Sequence, residues 1–162
     1  MEQRVDQLTG VHQAHLSLMD VTLRTLGHTV ALLKPEVTTT LRDGPDGGTI
    51  TEVLGHLRDF DGYFRGRAQL ILEQDKPALP AYDHEAIAIA FRYNEQDFRT
   101  VYAELVASRE QTRALFAALT AEQWARAGVH PAYGHYTLTN AVMQVGIHDA
   151  LHIEQIAKIL AQ

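Results

Sequence analysis

The chain has 162 residues, 46% of them hydrophobic, with a net charge of −6 and no cysteine. That is the size of one ordinary domain able to bury a core of its own, and the missing cysteine excludes disulfides, thiolate nucleophiles and cysteine-based zinc sites. The 14 Lys and Arg are scattered among 20 Asp and Glu, so the clustered positive charge that neutralises phosphates is lacking and no nucleic-acid partner is expected.

No apolar run reaches the roughly 20 residues of a membrane span, and MEQRVDQLTG at the start lacks the charged-then-apolar pattern of a secretory signal. A cytoplasmic protein that engages no membrane is therefore expected. The first helical period runs from about Val5 to Leu33, with Leu8, Val11, His15, Leu18, Val21 (or Thr22) and Leu26 at three- and four-residue steps. It stops near Pro35, because proline disfavours helix at the residue before it. KPEVTTTLRDGPDGG then reads as loop.

A capping box opens the second helix: Thr49 can accept from the N–H of Glu52 while the Glu52 side chain reaches back to Thr49. Ile50, Val53, Leu54, Leu57, Phe60, Phe64 and Ile71 form its apolar stripe, and DKPALPAYD breaks it with two prolines. A third long helix is expected over Glu85 to Leu119. Thr120 and Gln123 repeat the capping pattern before a short helix containing Trp124. AGVHPAYGHY reads as loop, and Thr137 to Leu160 as the last helix. No stretch alternates with period two, so no sheet is expected. The fold class is all-α: a single domain over residues 1–162, built as a four-helix bundle with a short extra helix before the last long one.

The last helix carries His148 and His152 four residues apart, rotated by about 40° and so on one face. With Leu138 as reference, the apolar set Ala141, Val142, Val145, Ile156, Ile159 and Leu160 defines the buried stripe, and both histidines and Asp149 fall inside it. A lone buried histidine is ordinarily satisfied by a carbonyl or a carboxylate. A stacked pair with an adjacent acid is explained more simply by a shared partner such as a metal, which then needs a third ligand. His56 on the second helix, beside Val53, Leu57 and Phe60, is the candidate, although a partly exposed helix residue would look the same.

His12, His15 and His28 belong to the first helix, with His15 able to face the core. His84 reads as a solvated residue at the start of the third helix. His130 and His135 lie in the loop before the last helix, where with Tyr133 and Tyr136 they could border a pocket mouth. That loop is about 15 Å of helix rise from His148, too far to supply ligands. Asp149 is a candidate for orienting a ligand imidazole elsewhere in the bundle. Asp59 and Glu52, one turn either side of His56, could line a pocket. Arg58, Arg65 and Arg67 could meet an anionic substrate. No general base can be named.

Three segments resemble one family. TITEVLGHLRDFDGYFRGR (Thr49 to Arg67), HDALHIEQI (His148 to Ile156), and between them SREQTRALFAALTAEQWARAGVHPAYGHYTLTNAV resemble, in order and spacing, the DinB/YfiT-like superfamily of metal-dependent enzymes. The aromatic that often precedes the second helix is replaced here by GPDGGT. The resemblance implies a four-helix bundle with a divalent metal held by His56, His148 and His152, and three neutral imidazoles suit zinc, nickel, iron(II) or copper. It also implies an enzyme acting on a small-molecule substrate, a transferase that uses a low-molecular-weight thiol, and a homodimer. The alternatives are a metal-dependent hydrolase and a non-catalytic metal-binding or dimerisation module.

Overall fold

The structure, a computed structural model, describes residues 2–162, with side chains from residue 9 onward, so Leu8 lies outside the described side chains. In chain order the elements are α1 (Glu2–Leu32), α2 (Pro35–Thr38), α3 (Ile50–Glu73), α4 (His84–Ala90), a 3-10 turn (Tyr93–Glu95), α5 (Phe98–Ala117), α6 (Ala121–Trp124), β1 (Ala127–His130), β2 (Gly134–Thr137) and α7 (Leu138–Leu160). The long helices α1, α3, α5 and α7 form the four-helix bundle. α3 packs against α5 and α7, and α1 against the same two, which leaves α1 and α3 on one diagonal. Among the described residues no helix is long and apolar enough to cross a membrane.

Local chemistry starts these helices where the sequence places them. The Thr49/Glu52 and Thr120/Gln123 capping boxes both form. A third joins Thr137 to Asn140 at the head of α7. Each satisfies backbone donors that a helix start leaves without partners.

Five expectations change. The segment expected as loop after α1 begins with the helical turn α2 (Pro35–Thr38), opened by Pro35 at its first position. The buried face of α1 is His12, Leu16, Met19, Thr22, Leu26 and Val30, while Val11 and Val21 are 39% and 47% exposed. The stripe that faces the core is thus mostly one residue on, a rotation of about 100°, and His15 is only half-buried. On α7, Leu160 is 41% exposed. The helix expected over Glu85 to Leu119 is three elements. Arg92 takes a left-handed conformation at φ +50°, and Asp97 starts a new helix by accepting from the N–H of Thr100. Between them Tyr93 is buried against Gly55, where a Cβ would come within 2.7 Å of the ring, and its hydroxyl donates to Asp59. Finally, the segment taken as loop holds a two-stranded antiparallel hairpin, with Ala127 opposite Thr137 and His130 opposite Gly134. Its turn uses Gly134 at φ +69°, the left-handed region open to glycine. Strands of four residues are too short for alternation to show in a sequence.

The core is two apolar clusters with a polar layer between them. One cluster gathers Leu16, Met19, Phe64, Ile71, Phe116, Leu138 and Val142, the other Leu26, Ile50, Leu54, Leu57, Leu105, Ile156 and Ile159. Buried polar residues on the long helices separate them: Thr22 on α1, Asp61 on α3, Arg109 and Thr112 on α5, and Asp149 on α7. Arg109 Nε donates to Asp61 at 2.6 Å, while its Nη1 and Nη2 donate to the two oxygens of Asp149 at 2.6 and 3.0 Å. Thr22 donates to Asp149 at 2.6 Å, and Ser108 and Thr112 donate to Asp61 at 2.6 and 2.7 Å. Every carboxylate oxygen is satisfied, as buried charge requires.

At the far end of α1, His12 stacks on Trp124 with ring centroids 3.7 Å apart, its Nε2 2.9 Å from the Thr139 hydroxyl. Burial, with a smaller contribution from His15, lowers the His12 pKa from 6.5. Trp124 is the single tryptophan, and a protonated imidazole quenches an indole on which it stacks. The fluorescence of the folded protein is therefore expected to fall on acidification with a midpoint below pH 6.5, and His12→Phe to abolish the step. A midpoint at or above 6.5 would contradict a neutral, buried His12.

Candidate metal centre

α3 and α7 build the site. Two turns beyond its capping box, α3 presents His56, and α7 presents His148 and His152 one turn apart. The three rings converge, with centroids 4.9 Å (His56–His148), 4.7 Å (His56–His152) and 4.5 Å (His148–His152) apart. One ring nitrogen from each lies within 4.8 Å of the other two, and Nε2 of His56 is 2.9 Å from Nε2 of His148. His152 Nδ1 is 2.7 Å from the Gln155 amide oxygen. That oxygen can only accept, so it assigns the hydrogen to Nδ1 and leaves Nε2 with a free lone pair. Phe60 and Phe64 form the floor, with centroids 5.7 and 5.1 Å from His148.

Burial pushes the His148 pKa down to about 2, helped by His152, His56 and Arg109. Burial pushes His56 down to about 3, with His152 and His84 adding to the shift and Asp59 opposing it. Burial also lowers His152, against the opposing effects of Gln155 and Asp149. At neutral pH the cluster is three uncharged imidazoles, the protonation state in which histidine donates a lone pair.

The rings open onto a cavity of about 850 Å³. Val53, Phe60, Tyr82, Ala88 and Ile89 supply apolar wall, and Arg42, Asp46, Glu52, His84 and Glu85 supply polar wall. Glu52 thus lines the pocket as expected, while also serving the capping box and Arg42 at 3.2 Å. The other pocket candidates are used elsewhere. Asp59 accepts from Tyr93 and from Arg58. Arg58 also binds Gln96 and Glu104, Arg65 binds Ser108 and Thr112, and Arg67 binds the Pro80 carbonyl and covers Tyr82. His130, Tyr133, His135 and Tyr136 do not line the cavity, since they belong to the hairpin, where His130 stacks on Tyr133. Asp149 orients no imidazole: Arg109 and Thr22 take both of its oxygens. His84 is exposed as expected, yet it stands in the cavity wall with its ring 6.1 Å from His56.

Sequence reasoning missed Arg109, Asp61 and Gln155. The first two did leave a signal. Each stands where its helix's apolar period calls for a core residue, Asp61 between Leu57 and Phe64 and Arg109 between Leu105 and Thr112.

Residues 18–156 match the model of the DinB superfamily, and the chain belongs to that family. Among solved structures it is similar to YfiT from Bacillus subtilis, described as a probable metal-dependent hydrolase with an unusual four-helix bundle topology. The identity is 24% over 93% of this chain and 86% of that one, with a TM-score of 0.85. It is also similar to a mycothiol-dependent maleylpyruvate isomerase, at 8% identity and a TM-score of 0.74, covering 90% of this chain and 60% of that one. At these identities the likeness establishes the fold. No curated protein matches the chain by sequence.

Proposed function

We propose that His56, His148 and His152 hold one divalent transition metal, and that residues 1–162 form one domain whose metal centre acts on a small molecule drawn into the cavity. The observation that carries this reading is the convergence of three neutral imidazoles, two of them with Nε2 atoms 2.9 Å apart. Nitrogens bound at about 2.1 Å to a common ion lie about 3.0 Å apart at octahedral angles and about 3.4 Å apart at tetrahedral ones, so small shifts of the rings make the donor set fit. Imidazole-only ligation suits zinc, nickel and iron(II). Structural zinc is ordinarily closed by four protein ligands, whereas three leave a position for substrate. When bound, such an ion would act as a Lewis acid, lowering the pKa of a water that it holds to about 7 and holding a thiol as its thiolate.

The chain's own residues supply the rest. Gln155 holds the His152 ring by its Nδ1–H, a role that outer partners of ligating histidines commonly fill. Phe60 and Phe64 exclude water beneath the rings. The cavity falls within the roughly 300–1,000 Å³ of small-molecule sites. Hydrolysis is the first reading, supported by the likeness to YfiT over most of both chains. Transfer involving an external low-molecular-weight thiol is the second, supported by the isomerase's fold and by a chain with no thiol of its own.

Elemental analysis of protein purified without chelators, and of stripped protein offered zinc, nickel or iron(II), tests the centre, with about one ion per chain expected. Failure to retain any of the three would sink it. Adding a simple thiol to the cobalt-substituted protein separates the two reactions: a thiolate-to-cobalt absorption band favours transfer, and turnover of an ester or amide panel without thiol favours hydrolysis.

A further inference from the structure

We propose that His84 is the residue that meets the substrate at this centre, donating a hydrogen bond to whatever occupies the metal's open position. The inference rests on the metal-centre reading above and adds a fourth histidine with a different task. Its ring stands edge-on to His56 at 6.1 Å, beyond the 4.5–4.9 Å that separates the three converging rings, and it is outside the set of nitrogens lying within 4.8 Å of one another. His84 is thus too distant to share the ion, but it lines the same cavity. Its ring faces His56 edge-on across the cavity that His148 and His152 also line.

His84 has no competing role. Among the described residues it makes no hydrogen bond to protein. The start of α4 is capped instead by Asp83, whose carboxylate accepts from the N–H of Ala86 at 3.0 Å. None of α4's residues is buried, so the helix adds little to the core. What it contributes is cavity wall, through His84, Glu85, Ala88 and Ile89. Of the wall's other polar groups, Asp46, Glu52 and Glu85 are acceptors as carboxylates, Arg42 is drawn toward Glu52 and the Gly47 carbonyl through Nη1, Gln155 is held by His152, and Tyr82 is stacked on Tyr63. A neutral imidazole always carries one N–H, so the role does not depend on His84 being charged.

The test uses full-length cobalt-loaded protein and azide as the exogenous ligand, read by visible absorption. His84→Ala is expected to bind cobalt with the stoichiometry and affinity of the wild type, yet to bind azide about 3- to 10-fold more weakly, the scale of one hydrogen bond. His84→Gln, which keeps an N–H donor, is expected to recover part of the loss. Unchanged azide affinity in His84→Ala would overturn the proposal and leave the three-histidine centre standing. Loss of cobalt from His84→Ala would overturn it too, by making His84 a metal ligand. A wild type that takes up no cobalt would remove the metal-centre reading, and this inference with it.

Discussion

Arg109→Met is expected to destabilise the protein by about 3–5 kcal/mol, the range for breaking a buried ion pair by removing one partner. Arg109 is 2% exposed and is the hub of the polar layer. Burial opposes its charge, but Asp149 and Asp61 outweigh burial and hold the guanidinium above its ordinary pKa. Without it, two carboxylates that are both 1% exposed keep only hydroxyl partners and Arg65, whose nearest nitrogen is 3.4 Å from Asp61. Arg109→Lys should recover little, because one ammonium cannot make the bidentate contact to Asp149 while also reaching Asp61. Replacing the triad together, as Arg109→Met, Asp61→Leu and Asp149→Leu, should cost far less than Arg109→Met alone, since no uncompensated charge stays buried. Urea unfolding of the three variants checks this. A shift of less than about 1 kcal/mol for Arg109→Met, the scale of an exposed ion pair, would mean that the layer is hydrated rather than sealed.

His148→Ala is expected to weaken metal binding by more than 100-fold while the bundle stays folded. Changes to outer partners of ligating histidines alone cost about 10–100-fold, and deleting a ligand removes a coordinate bond outright. Gln155→Leu should fall within that outer-partner range, because the His152 ring loses the contact that sets its tautomer. Neither residue is a member of the two apolar clusters, the first of which His148 meets at Phe64, so circular dichroism should be preserved. Competition titration with a chelating dye ranks the variants. A ranking with Gln155→Leu below His148→Ala would place the ion elsewhere in the cavity.

Much of this site was legible in the sequence because its information is local. The His148/His152 pair shares a face through the helical period alone. Capping boxes at Thr49 and Thr120 need only residues three apart. The stripe from Ile50 to Ile71 is carried by one face of one helix. His56 could be nominated by its place beside that stripe, but its meeting with His148 spans 92 residues of chain. That contact exists because α3 and α7 pack side by side. The family resemblance selected His56 before any geometry did.

The departures have a common cause as well. The α1 stripe was misplaced because His12 looks polar in a sequence and Thr22 was admitted only as an alternative to Val21, and the two become core residues once Thr139 pairs His12 and Asp149 accepts the Thr22 hydroxyl. Arg109 reads as a surface charge on α5 until Asp61 and Asp149 arrive from two other helices. The break before α5 depends on Tyr93 finding Gly55 across the bundle. The bundle class, the helix starts and the two-histidine face follow from period and capping, which act within four residues. The rotation of α1, the polar layer, the hairpin and the closing of the three-histidine cluster were decided by tertiary packing. A buried polar group must be paired or pay its desolvation cost, and here each partner lies on another element.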